Sequence, residues 1–234
     1  TTQGTSISIV GMGGIGSHLL ASLAPALHRG GLSGSLGGIT IHVFDSDSVD
    51  ESNLMHQRFV PSDVGSLKVD AIRTSMEQFL GSEVEIVAHS VDVRGSGGSR
   101  HLHEPVFAQS DFVIVCVDSD EARGVVHSLE SPWLDLRCRG DGFVAIDNRV
   151  EGGVVESLTT GQAPASCQLE GALDEGNIQF GYMASACHGA QWAIQMLRII
   201  SGQQGAMLPS PTSTSITFGT LGRLPTKGQE MEVS

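Results

Sequence analysis

Lysine is nearly missing from this chain. Its 234 residues hold two, Lys68 and Lys227, against 26 acidic side chains and a net charge of −13. The 13 basic residues are too few to build the stripe that displaces counterions from a nucleic acid, which excludes a non-specific nucleic-acid binder. The same shortage disfavours an anionic membrane surface. Long apolar runs are absent as well. None approaches the roughly 20 residues needed to cross a bilayer, so no membrane partner is expected. The segment Thr1–Ser6 carries no basic cluster ahead of an apolar stretch, so no signal peptide is expected, and the missing initiator Met suggests that residues before Thr1 have been lost. Cysteine is sparse: Cys116, Cys138, Cys167 and Cys187, with no C-x-x-C pair. That spacing fits neither a disulfide framework nor a structural zinc site, so no zinc and a reducing, cytoplasmic setting are expected.

What is present is an alternating pattern. Apolar residues make up 40% and charged residues 17%, a globular composition. Ser6–Val10 reads as a strand, and Ile15, Leu19, Leu23 and Leu27 as the stripe of a helix that Pro25 should kink. Residues 29–38 read as a flexible connection and Ile39–Phe44 as a second strand. Leu67, Ile72, Met76 and Phe79 mark a second helix, Glu83–Ala88 a third strand, and 101–109 a short helix. Asp111–Val117 is almost wholly apolar, as a central parallel strand buried on both faces would be. The pattern predicts an α/β fold with a doubly wound, mainly parallel Rossmann-like sheet. Beyond it, Leu134–Arg139, Phe143–Ile146 and Val154–Ser157 read as short strands of a mixed or antiparallel part. Residues 158–180 read as a crossover loop, Ala186–Ile200 as a helix, 213–218 as a last strand, and the chain from Gly222 as disordered. Trp133 and Trp192 read as packing residues.

Gly11, Gly13 and Gly16 form G-x-G-x-x-G between the first strand and the first helix. Glycine lets the backbone approach a phosphate, and the helix N-terminus offers free N–H groups and the positive end of a dipole. Asp45 ends the second strand, where an acid accepts hydrogen bonds from ribose hydroxyls. These residues fit NAD and ATP equally, so a nicotinamide-dependent oxidoreductase remains an alternative.

The following run resembles the ThiF/MoeB family of ATP-dependent adenylyltransferases, relatives of ubiquitin-activating enzymes. The matching motifs are G-M-G-G-I-G-S at 11–17, D-S-D-S-V-D-E-S-N-L-M-H-Q at 45–57, G-S-L-K at 65–68 and C-V-D-S at 116–119. The resemblance implies that residues 1–222 are one adenylation domain, with 223–234 a disordered tail. It implies that Gly11, Gly13, Gly14 and Gly16 line adenylate phosphates and that Asp45 and Asp47 belong to the nucleotide site. Asn53 would contact the phosphate region, and Lys68 would reach the polyphosphate as a mobile point charge. Asp118 would bind Mg²⁺; the competing reading is an N-cap for a helix from Asp120. The implied reaction is attack of a carboxylate on the α-phosphate of Mg·ATP, yielding an acyl-adenylate and pyrophosphate. The implied substrate is the C-terminus of a small ubiquitin-like or sulfur-carrier protein, and the implied assembly a homodimer.

The family pattern is departed from in three places. The phosphate-binding arginine is replaced by His56, with Arg58 two residues on as the remaining source of charge. Paired C-x-x-C zinc motifs are absent. The N-terminal helices that lend an arginine to a neighbouring site are missing from this sequence; Arg123 either stands in or is a solvated helix residue. These departures leave open a degenerate, non-catalytic partner subunit. The family's acceptor cysteine maps to the loop holding Cys167, whose neighbours P-A-S-C-Q-L-E include no cation to lower its pKa. No thioester is therefore expected there.

Overall fold

A computed structural model describes residues 4–159 and 167–227 of the chain. Strands β1 (Thr5–Val10), β2 (Ile39–Phe44), β3 (Val84–His89), β4 (Phe112–Val115), β5 (Trp133–Arg139), β6 (Gly142–Asp147), β7 (Thr212–Ser215) and β8 (Gly219–Arg223) form one sheet in the order β3-β2-β1-β4-β5-β6-β7-β8. The first five positions are parallel; β6, β7 and β8 join antiparallel. The chain reverses its winding between β1 and β4. That is the switch point outside which open α/β sheets hold their ligands.

Alternation within the strands sorts the core into two layers. Ile7, Ile9, Phe112 and Ile114 face the cluster of helices α1 (Gly14–Arg29), α3 (Lys68–Glu77) and α7 (Gly181–Ile200). Val10, Val113 and Val115 face the opposite cluster, with Phe107 of α4 (Arg100–Phe107) and Val126 of α5 (Asp120–His127). All four β4 residues are buried, as a central strand requires. Trp133 and Trp192 are both core residues. Gly189 lets α7 close on the sheet, since a Cβ there would lie 2.5 Å from Leu136 Cδ1.

Several elements differ from the sequence reading. Val154–Ser157 is not a strand but lies in helix α6 (Gly152–Thr159). Its valines favour a strand, yet Val155 and Thr159, four apart, are the positions buried, and burial decides the element. Residues 29–38 include a short helix, α2 (Leu32–Ser35), tied down by Ser33 Oγ donating to Glu83 Oε2 at 3.0 Å. Helix α1 continues past Pro25 to Arg29. The last strand is a hairpin, β7–β8, that runs to Arg223, and Thr226 bridges Val150, so structure extends past Gly222. The rest of the expected tail, 228–234, lies outside the described residues. Among the described residues no helix is long and apolar enough to cross a membrane.

Candidate functional site

The carboxyl ends of β1, β2, β3 and β4 open into a cleft of about 560 Å³. Backbone hydrogen bonds bring these ends level: Gly11 N–H donates to Phe44 O at 2.7 Å, Cys116 N–H to Val10 O at 2.8 Å, and Asp45 N–H to His89 O at 3.2 Å.

The glycine turn forms one wall. Gly11 has φ of +93°, a region that glycine enters without strain, and a Cβ there would meet Val117 Cγ1 at 2.7 Å. Gly13 and Gly14 line the cleft. Gly13 is the N-cap of α1 and supplies no side-chain hydrogen bond. The first-turn N–H groups are thus left for an anion, which the helix dipole also favours. Gly16 has another role from that expected. It faces away from the cleft, and a Cβ on it would lie 1.8 Å from Gly11 O. Its lack of a side chain lets α1 close on the turn.

Asp45 sits across from that turn. Its Oδ2 accepts from Met12 N–H at 2.7 Å and its Oδ1 from Asp47 N–H at 2.9 Å. These bonds aim the carboxylate while each oxygen keeps a lone pair free for another donor. Burial pushes its pKa up, opposed by the Lys68 charge and by the two N–H groups. Lys68, the first residue of α3, is buried to 7% exposure. Its N–H donates to Asp47 O, and its Nζ to Asp47 Oδ2, each at 2.9 Å. The scarce lysine is therefore held in the cleft wall by a carboxylate whose own side chain is 66% exposed. Asp118 stands on the opposite rim. Helix α5 is capped by Ser119, whose Oγ accepts from Ala122 N–H at 3.3 Å, so Asp118 is not the cap. Among the described residues its carboxylate makes no hydrogen bond or ion pair. No group of three or more metal-ligating side chains occurs among them either. A lone free carboxylate does not make a protein cage, but it suits an ion such as Mg²⁺ that is held mainly by substrate phosphates and water.

Two expected residues stay outside the cleft lining. Asn53 belongs to a short 3-10 helix, Glu51–Met55, and its Oδ1 accepts from Asp50 N–H at 3.0 Å in a capping box. It shapes the loop instead of lining the site. Arg58 is exposed, and its backbone N–H donates to Ser17 Oγ at 3.0 Å. The short 3-10 helix Glu51–Met55 turns His56 into the cleft lining. A Cβ on Gly14 would lie 3.5 Å from His56 Cδ2, and Tyr182 meets the imidazole edge-on with 6.1 Å between ring centroids. Burial and then the Lys68 charge hold the His56 pKa below its ordinary value. Among the described residues, the cleft is lined by two fixed cations, Lys68 and Arg94.

The segment Val91–Arg94, just after β3, also lines the cleft and carries no motif. The signal available was position: loops at the carboxyl ends of parallel strands border the ligand crevice. Cys167 and Cys116 lie there too. Contrary to expectation, the Cys167 pKa is lowered. A hydrogen bond from the Cys138 thiol is the main cause, Arg123 adds to it, and burial and Asp118 oppose it. Burial pushes Cys116 well up. All four cysteines are free thiols.

The ThiF family model matches residues 2–229, and the chain belongs to this family. It is 30% identical over 134 residues to ubiquitin-like modifier-activating enzyme 5 of Drosophila melanogaster, a match covering 53% of this chain and 30% of that protein. It is 32% identical over 129 residues to the NEDD8-activating enzyme E1 catalytic subunit of Caenorhabditis elegans, covering 54% and 26%. The chain thus matches between a quarter and a third of the length of these relatives. The fold is shared with E. coli MccB, in a crystal structure with ATP, at a TM-score of 0.62 and 16% identity over 96% of this chain and 66% of that one. PaaA shares it at 0.59 and 18%, over 92% and 62%.

Proposed function

We propose that this ThiF-family chain is an adenylation domain that activates a carboxylate with Mg·ATP. One observation carries the reading. Three segments far apart in sequence converge on one cleft at the switch point: the uncapped glycine turn, the Asp45–Asp47–Lys68 set, and Asp118. A nicotinamide enzyme would account for the first and for Asp45, and would leave Lys68 and Asp118 without a task.

In this reading Asp45 accepts the ribose hydroxyls with its free lone pairs, and Gly13 and Gly14 let the phosphates approach the N-terminus of α1. Lys68 leaves Asp47 to meet the polyphosphate. Asp118 and the phosphates would hold Mg²⁺, which when bound would neutralise charge on the departing group. An oxygen of the substrate carboxylate attacks the α-phosphorus, the bond to the bridging oxygen of the β-phosphate breaks, and pyrophosphate leaves with that electron pair. The carboxylate attacks already deprotonated, so positioning and electrostatics supply the catalysis.

The names of the relatives support a ubiquitin-like substrate; we propose that its C-terminal carboxylate is activated, with a sulfur-carrier protein or a peptide carboxylate as variants of the same reading. We place the enzyme in the cytoplasm as a homodimer. The test is exchange of labelled pyrophosphate into ATP with a panel of small proteins ending in Gly-Gly. Exchange that requires one carrier and Lys68 supports the reading. His56 in the place of the family's arginine, with Arg58 outside the cleft lining among the described residues, favours a second reading, a degenerate partner subunit. ATP binding without exchange for any carrier would select it.

A further inference from the structure

Beneath the cleft lies a buried charge cluster that the nucleotide site does not account for. Asp135 of β5 has no exposed surface. Its Oδ2 accepts from His127 Nε2 at 3.0 Å and from Arg137 Nε and Nη2 at 3.1 and 2.5 Å. Its Oδ1 faces Arg123 Nε at 3.8 Å. Arg123 is 8% exposed, not the solvated residue its place on a short helix suggests. Its Nη2 donates to the carbonyl of Val117 at 2.7 Å and its Nη1 to Asp120 Oδ1 at 3.2 Å. Val117 directly precedes Asp118. One planar guanidinium therefore links the interior of the sheet to the backbone carbonyl just before Asp118 and to the Asp120 carboxylate two residues after it.

We propose that Arg123 is a positioning residue for Asp118: anchored on Asp135, it fixes the Val117–Asp120 turn so that the Asp118 carboxylate faces the nucleotide's metal. This deepens the adenylation reading and rests on it. The anchor is stiff because β5 is paired on both sides, with β4 and β6. The task needs arginine. Its rigid fork donates to two acceptors in different directions while its Nε faces the Asp135 carboxylate as an ion pair, which a single ammonium on a flexible stem does not do. Arg137 provides an internal control. It pairs with the same Asp135, yet its other bonds run to Leu158 O and Thr159 Oγ1 at the end of α6, away from Asp118.

The experiment compares Arg123→Lys with Arg137→Lys in the full chain. Amide hydrogen exchange over residues 116–126 is measured without nucleotide, and ATP affinity is measured by calorimetry across a Mg²⁺ series. Both substitutions disturb the cluster and lower the melting temperature. Only Arg123→Lys is expected to speed exchange at the turn and to raise the Mg²⁺ needed for half-maximal ATP affinity, by about tenfold, the usual size of an outer-sphere effect. In an Asp118→Asn background the same change should add nothing to the Mg²⁺ response, because the positioned group is gone. Asp135→Asn, nearly isosteric, loosens the same anchor and should shift Mg²⁺ demand in the same direction even if Arg123→Lys does not fold. Equal exchange and equal Mg²⁺ curves for the two lysine variants would overturn the positioning role. Failure of the wild-type chain to bind ATP would instead refute the nucleotide reading, and the exchange comparison would still decide whether Arg123 holds the turn.

Discussion

Two glycines of one motif should respond to alanine in opposite ways. At Gly16 the added methyl would sit 1.8 Å from the Gly11 carbonyl oxygen, a backbone atom with no rotamer to escape into. Restoring ordinary contact needs a displacement of roughly an ångström between α1 and the turn, and overpacking of this kind costs about 1–3 kcal/mol or more. Better helix propensity returns at most about 1 kcal/mol. The steric cost wins, with a net loss of about 1–2 kcal/mol. For a chain of this size that is a fall in melting temperature of about 2–8 °C. At Gly13 a Cβ meets nothing within 4 Å and stands at the cleft wall. Gly13→Ala should therefore melt like the wild type yet weaken Mg·ATP binding by about tenfold or more, 1.4 kcal/mol, because the methyl occupies the phosphate approach. Thermal denaturation and calorimetric titration of both variants read the two effects separately. Gly16→Ala melting unchanged, or Gly13→Ala binding ATP at full affinity, would refute the division of labour within the motif.

Lys68→Ala should weaken Mg·ATP about 10- to 100-fold, the loss of one charge-assisted contact, with little change in melting because Asp47 is left facing water; wild-type affinity would remove Lys68 from the site. Burial is the largest cause holding His18, His42, His56, His89 and His188 below the ordinary histidine value. Below about pH 6.5 the unfolded chain then binds more protons than the native one, so stability is fully present above that pH and falls as the pH drops through the lowered native values. A urea midpoint that stays flat between pH 7 and 5 would contradict this. Bound phosphate should favour protonated His56, so ATP affinity should rise as pH falls below about 6.5, and His56→Arg should tighten ATP and flatten the slope. Identical pH slopes in the two proteins would assign the phosphate charge to the fixed cations Lys68 and Arg94.

The layered sheet and the cleft positions of the glycine turn, Asp45, Lys68 and Asp118 were legible in the sequence because each is local, whereas the Val91–Arg94 segment was not. A glycine turn after a strand, an acid at a strand end and a lysine at a helix start carry their geometry with them. What was not legible depends on partners distant in sequence or on a side chain's direction. Asn53 reads as a phosphate contact until its Oδ1 is seen on Asp50 N–H. A short 3-10 turn that no periodicity marks brings His56 into the cleft lining and leaves Arg58 outside it. Arg123 gains its meaning from Asp135, on another strand. The sequence around Cys167 holds no activating neighbour because Cys138 approaches it from β5 and not from its own loop.

The central claim is that the cleft at the switch point is an ATP site. Calorimetric titration of the wild-type chain with Mg·ATP, repeated in the presence of excess NAD, tests it most directly. The account predicts one saturable site per chain, weakened by Asp45→Ala and unaffected by NAD. No binding of Mg·ATP, or displacement of ATP by NAD, would contradict it.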